Sequence, residues 1–203
     1  EKDTRKAPTP LLAALLCAAL FPQVAWVVQQ SKRAGQKRKA EGATDVVRNK
    51  NELMKIFVRE SDSDTPVNVQ IHPSSVIARE TGFDSPYLVY SELVNTTRVW
   101  IRECTPVPPL SVLLFGGRLE AEDAEAAGLA PGQALVKVAG WLRFCVTEQA
   151  KALLLQVRGE LDRLLKVKLE QPDFELGAKN GLLDAVAKIV CEPPIDTLFS
   201  QDA

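Results

Sequence analysis

The sequence predicts an α+β fold: a small curled antiparallel β-barrel, preceded by the end of a helical domain and followed by C-terminal helices. Three observations predict it. Short runs rich in β-branched and aromatic residues, separated by loops of Ser, Asp, Asn, Thr and Pro, fill residues 53–102. An apolar run, Leu11 to Phe21, closes at Pro22. Beyond Thr147 the apolar residues recur at three- and four-residue steps. The 203 residues have room for one domain with appendages or two small ones. With 46% apolar and 25% charged residues, the composition is that of an ordinary globular chain.

Lys2, Arg5 and Lys6 ahead of Leu11 to Phe21 imitate a secretory signal peptide. The chain begins at Glu1 rather than Met, so it reads instead as a fragment, with a helix ending near Phe21 and an extended run from Val24 to Val28. The apolar stretch reaches eighteen residues only by running through Pro22 and Gln23, which argues against a membrane span. Lys32, Arg33, Lys37, Arg38 and Lys39 then fall within eight residues that hold Gly35 and no acid, the pattern of a flexible basic loop. A solvated loop, a phosphate-contacting arm and a nuclear import signal are the competing readings.

Met54, Ile56 and Val58 alternate with Lys55, Phe57 and Arg59, and Val67, Val69 and Ile71 alternate with Asn68, Gln70 and His72. Both runs are strands with one buried face, and the polar stretch Ser61 to Pro66 joins them as a hairpin. Lys55, Phe57 and Arg59 share a face that suits single-stranded nucleic acid. The alternative is a ring packed under a loop beside solvated cations. Tyr87 to Tyr90 and Thr97 to Arg102 are further strands, and Arg98 and Arg102 fall on one face of the second as candidate phosphate contacts. Solvation or pairing with acids is their alternative role. His72 reads as an RNA contact or, ahead of Pro73, as a structural residue. Tyr87 and Tyr90 are base-stacking or barrel-core residues, and Ser74 and Ser75 are turn formers.

Pro106, Pro108 and Pro109 stop the strand pattern, and Leu110 to Phe115 reads as one or two helical turns ended by Gly116 and Gly117. The acidic segment Glu120 to Glu125 reads as solvated surface. Ala134 to Val138 and Trp141 to Val146 form a last hairpin across Ala139 and Gly140. Thr147 N-caps a long amphipathic helix that ends at Pro172, and a shorter helix around Leu182 to Val190 stops at Pro193 and Pro194. The apolar faces of both helices suit intramolecular packing, with a partner groove as the alternative.

A net charge of −1 excludes a uniformly basic wrapper of nucleic acid, so any grip on RNA must come from local patches. Cys17, Cys104, Cys145 and Cys191 form no CxxC pair and His72 is the single histidine, which excludes a Cys/His zinc site. Four cysteines could form disulfides in a secreted protein, but Cys17 and Cys191 sit in apolar helical patterns where buried free thiols are common, so the chain reads as reduced and intracellular.

Four motifs stand in order: IHPSSV at Ile71 to Val76, SPYLVY at Ser85 to Tyr90, TTRVWIRE at Thr96 to Glu103 and LLFGG at Leu113 to Gly117. Together they resemble the C-terminal OB-fold region of DEAH/RHA-type (DExH-box) ATP-dependent RNA helicases. The match is clearest over residues 66–146, and the segment LLCAALFPQVA, within Leu11 to Val28, resembles the end of that family's helical domain. The chain departs from the family at Ile77, where Asn is frequent, and at Leu93 and Asn95, where two lysines are frequent. It has no GKT or GKS phosphate loop and no DEAH-like motif, so ATP chemistry of the family's kind is absent from this sequence.

The resemblance implies an OB-type barrel and the following division of the chain. Residues 1–23 end a helicase-associated helical domain, and residues 24–146 form the OB fold with a basic loop at 29–51. Residues 147–191 form C-terminal helices, and residues 192–203 a tail. It implies single-stranded RNA as partner, for which Lys55, Arg59, His72, Arg98 and Arg102 are the candidate contacts read above, and no catalytic residue, cofactor or metal is expected in this chain. ATP and Mg belong to the motor domains of the implied parent helicase. Those motor domains and a glycine-rich G-patch protein are further implied partners, no membrane is expected, and the location is cytoplasmic or nuclear. The alternative function is a noncatalytic protein-interaction scaffold without RNA contact.

Overall fold

A computed structural model of the chain describes residues 9–29, 54–60, 65–123, 127–175 and 181–192. The basic loop beyond Gln29, most of the Ser61 to Pro66 turn and the tail from residue 193 onward lie outside the described residues. The chain divides into two compact units, one of residues 23–106 and one of residues up to 22 and from 107 onward.

In residues 23–106, seven strands form one sheet: β1 (Val24–Gln29), β2 (Met54–Val58), β3 (Val67–Ile71), β4 (Tyr87–Val89), β5 (Glu92–Asn95), β6 (Val99–Arg102) and β7 (Thr105–Pro106). The spatial order is β5-β6-β3-β2-β1-β4-β7. Ala25 and Leu88 from one end of the sheet and Ile101 and Leu93 from the other meet in one core cluster with Val27, Ile56, Val58 and Val69. A sheet whose ends share a core must curl, and this one is the half-barrel of an OB-type fold.

The hairpin of β2 and β3 is antiparallel, with Ile56 opposite Val69 and Val58 opposite Val67. The pairing is antiparallel as expected except at one pair: β3 and β6 run parallel, with Gln70 beside Trp100 and Ile71 beside Ile101. The connection between them carries a 3-10 turn at Val76–Arg79 and two further strands, long enough to bring the chain round in the same direction. Strand β6 begins at Val99 rather than Thr97, which leaves Arg98 on the turn before it. Tyr87 and Tyr90 are 1% and 5% exposed, so both are core residues and neither is a stacking platform.

The other unit holds α1 (Thr9–Leu20), α2 (Pro109–Phe115), a three-stranded sheet of β8 (Leu119–Asp123), β9 (Gln133–Val138) and β10 (Leu142–Thr147), and the helices α3 (Glu148–Glu170) and α4 (Gly181–Cys191). The acidic segment is, in its described part, a strand paired to β9 that leaves Glu120 and Ala121 exposed. Leu119 and Ala121 supply the alternation, and Lys137 on β9 pairs with Glu122 at 2.5 Å. Ala139 and Gly140 turn β9 into β10 with φ of 51° and 74°, the left-handed pair that a two-residue hairpin needs. Thr147 accepts a hydrogen bond from the Ala150 amide at 3.1 Å and so caps α3, which stops one residue before Gln171.

All four cysteines are free thiols. Burial pushes Cys17 and Cys104 from 9.0 up to about 12, and the smaller effect at Cys104 is a hydrogen bond from Ser75 that lowers it. A raised folded-state value means that the thiols' contribution to stability is whole below pH 9 and is lost as pH climbs from 9 towards 12. Urea unfolding at pH 8 and at about pH 10.5 is expected to show a lower unfolding free energy at the higher value, with Cys17→Ala, Cys104→Ala losing part of that dependence. Among the described residues no helix is long and apolar enough to cross a membrane.

Candidate nucleic-acid interface

With Val27, Ile56, Val69 and Ile101 turned to the core, the two-residue period places their neighbours on the outer face of the sheet. The register fixes how those neighbours line up. Asn68 stands opposite Phe57 and Phe57 opposite Trp26, so one band crosses β3, β2 and β1. Gln70 stands beside Trp100 in the next band, one side-chain repeat along. The Trp26 and Phe57 rings lie 5.9 Å apart at a tilt, and Trp100 meets the His72 ring edge-on at 5.8 Å. All three rings are half-buried, so their faces are held in place yet reachable.

The cations are arranged around these rings. Lys55 is exposed two residues from Phe57, and Arg59, half-buried and engaged, lies two residues beyond it on the same face. Arg98 is exposed and donates from Nη1 to Gln70 Oε1 at 3.3 Å. Arg102 lies opposite Glu92 across β5 and β6, and its Nη1 reaches Glu92 Oε2 at 3.4 Å. Its Nη2 stands 3.5 Å from His72 Nε2, and its Nε is buried without an acceptor.

The histidine's tautomer decides what its contact with Arg102 means. The Ser74 amide donates to His72 Nδ1 at 3.2 Å, and Ser74 Oγ lies 2.7 Å from the same nitrogen. A ring that accepts at Nδ1 carries its proton at Nε2. With the proton on Nδ1 and donated to Ser74 Oγ, Nε2 instead accepts from the Arg102 guanidinium. In either tautomer Glu92 holds only Nη1 and the buried Arg102 Nε has no acceptor, and an anionic oxygen is a group that this guanidinium can engage.

The serines that the sequence marked as turn formers hold this corner in shape. The Ser75 amide donates to the His72 carbonyl at 2.9 Å, and its buried Oγ accepts from the Glu103 amide at 3.1 Å. Glu103 has a φ of 50°, and Ser91 Oγ donates to its carboxylate at 2.9 Å. The ends of β3 and β6 are thus tied to one another where His72 and Arg102 emerge.

Of the five residues singled out in the sequence, His72 and Arg102 are brought into contact, and Arg98 stands on the far side of Trp100 from Arg102. Lys55 lies on the neighbouring strand β2 and Arg59 just past its end. Trp26, Trp100, Asn68 and Gln70 were not singled out. Period two alone placed them outward, but their alignment depends on strand register, which the sequence does not carry. Leu93 packs on the core and Asn95 shares its side of β5, so neither position takes a cation away from the outer face. Among the described residues no cluster of His, Cys, Asp and Glu is placed to hold a metal ion.

Residues 12–119 match the family model described as an oligonucleotide/oligosaccharide-binding (OB) fold, and residues 134–192 match the C-terminal domain in RNA helicases. Over 181 residues the chain is 31% identical to the DExH-box ATP-dependent RNA helicase DExH1 of Arabidopsis thaliana, covering 89% of this chain and 15% of that protein. It is 36% identical over 179 residues to the human putative ATP-dependent RNA helicase DHX57, covering 87% of this chain and 12% of that one. It is 28% identical over 162 residues to the mouse ATP-dependent DNA/RNA helicase DHX36, covering 80% and 14%. The chain thus spans about one seventh of the length of these relatives. With one family model covering more than half of it and a second covering most of the rest, the chain belongs to the family of C-terminal OB-fold regions of DExH-box RNA helicases.

Proposed function

We propose that the outer face of the curled sheet binds single-stranded RNA and serves as the strand-holding auxiliary part of an ATP-dependent RNA helicase. The observation that carries this reading is the Arg102 guanidinium beside His72 and Trp100, its Nε without an acceptor, flanked by Arg98 and, one strand over, by Lys55. Phosphate oxygens engage such a guanidinium, and half-buried rings take bases by stacking without demanding a sequence. ATP and Mg act in the motor domains of the parent, and this chain contributes no catalytic group, cofactor or metal. Nucleus and cytoplasm are both compatible with this role.

Fluorescence anisotropy of the chain with a fluorescent single-stranded RNA of eight nucleotides, across a salt series, tests the reading. Affinity is expected to fall with salt, and Arg98→Ala, Arg102→Ala is expected to weaken binding at low salt and reduce the salt slope by about one to two. No binding at low salt would reject it.

A second reading, docking of the parent's other domains or of a glycine-rich G-patch protein, is favoured by one observation. A largely apolar groove of about 430 Å³ lies among α2, α3 and α4, lined by Leu110, Leu113, Leu153, Val157, Val186 and Ile189. Pull-downs with and without nuclease separate the two readings, because partners bridged by RNA are lost on digestion.

A further inference from the structure

The sheet also carries an opening that binding to phosphates leaves unused. Ladder pairing between β2 and β3 covers Ile56 with Val69, Phe57 with Asn68 and Val58 with Val67, and then stops. Beyond it β3 pairs with β6 instead, at Gln70 and Ile71. Where β2 and β3 part, a cavity of about 150 Å³ lies between them, lined by Met54, Ile56, Asn68, Gln70, Ile71 and Trp100 among others. It combines apolar walls with two side-chain amides and an indole, the composition of a site for a flat polar ring.

Its size and hydrogen-bonding groups narrow the ligand. A cavity of about 150 Å³ is large enough for a single six-membered ring, as engineered cavities of that volume admit benzene. A fused purine needs more. The orientation of Gln70 follows from Arg98, which donates to it at 3.3 Å. A guanidinium has no acceptor, so Gln70 must turn its carbonyl oxygen to Arg98 and its NH2 group away. A glutamine free to choose offers a donor and an acceptor together, whereas this one offers donors. Trp100 Nε1 is a donor as well.

We infer that the opening between β2 and β3 is a base subsite for a pyrimidine with a keto group at C4, uracil in RNA, whose carbonyl oxygen accepts from the Gln70 amide. The inference rests on the RNA-binding reading and adds base selectivity to it. Cytosine has the same size but presents an amino donor at C4, which meets another donor at Gln70. The His72 and Arg102 corner lies one side-chain repeat along the same strands, about 7 Å away, so one nucleotide can place its phosphate there and its base in the opening.

The test compares U8 with C8 RNA by anisotropy at one fixed salt concentration, using the chain as it stands and its Gln70 variants. U8 is expected to bind about fivefold more tightly than C8. Gln70→Leu is expected to remove the difference while both RNAs still bind. Gln70→Glu turns a second oxygen outward in place of the NH2 group and is expected to reverse the preference in favour of C8. Equal binding of U8 and C8 to the unaltered chain, or a preference that survives Gln70→Leu, would overturn the subsite while the RNA-binding face stands. Failure of both RNAs to bind would overturn the face and the subsite together.

Discussion

Substituting alanine for Gly116 is expected to lower the unfolding free energy by about 3 kcal/mol, and alanine at Gly117 by about 2 kcal/mol. The two glycines end the LLFGG motif, and neither is there for a left-handed backbone; Gly116 has a φ of −64°. They are there because nothing larger fits. A Cβ on Gly116 would run into the Val112 carbonyl oxygen of the same helix and would lie 2.7 Å from Val138 Cγ1. The carbonyl is backbone, bound to the Gly116 amide at 2.8 Å, and can yield only by unwinding the last turn of α2. A Cβ on Gly117 would lie 2.5 Å from Phe21 Cε1, where the ring can shift at some cost in packing. Urea melts followed by circular dichroism check both values, and the order, Gly116 above Gly117, distinguishes collision with backbone from collision with a side chain.

Arg158→Met is expected to cost about 3 kcal/mol for a different reason. The guanidinium donates to the carbonyls of Leu113 at 2.9 Å, Gly116 at 2.7 Å and Gly117 at 2.7 Å. These oxygens are orphans at the end of α2, where the helix dipole also favours a positive charge. Burial lowers the Arg158 pKa and Asp162 partly restores it, and a guanidinium stays charged throughout. Each charge-assisted bond is worth about 1.5–3 kcal/mol, with water able to replace a share of it at a half-buried site. Methionine keeps the aliphatic packing and removes the donors. Arg158→Lys is expected to recover a minority of the loss, since an ammonium cannot span three oxygens that a planar fork reaches. Thermal melts of the three proteins check the ranking.

These two sites show where reading the sequence succeeds and where it stops. Gly116 and Gly117 were legible as a helix stop, because a glycine pair after an apolar run says as much locally. That they receive Phe21, almost a hundred residues earlier, and that Arg158 caps their carbonyls from α3, are long-range facts with no local trace. The same division holds on the sheet. Period two placed Lys55, Phe57 and Arg59 on one face and Arg98 with Arg102 on another strand. It could not show that β3 leaves β2 to run parallel with β6, which sets Trp100 beside Gln70 and opens the gap between strands. Strand β5 was missed because Glu92 to Asn95 shows no alternation and borders polar turns, and β8 because its acids outweighed Leu119 and Ala121. Tyr87 carried a true ambiguity, aromatic and in a strand, that only burial resolved.

The resemblance in four short motifs led to the right family because three of them are structural fasteners. Ser75 ties β3 to the Glu103 bend, Tyr87 fills the core, and the glycine pair admits Phe21. Leu93 and Asn95, where the family frequently has lysines, fall on the side of edge strand β5 that packs on the core.

The measurement that tests the account most directly is photo-crosslinking of an eight-nucleotide RNA carrying 4-thiouridine to the intact chain, with the crosslinked residues mapped by mass spectrometry. Adducts are expected on the outer face of the sheet, at Trp100, Phe57 and Trp26, reduced by Arg98→Ala, Arg102→Ala. Adducts confined to α3, α4 or the β8–β10 sheet, or none at all, would contradict it.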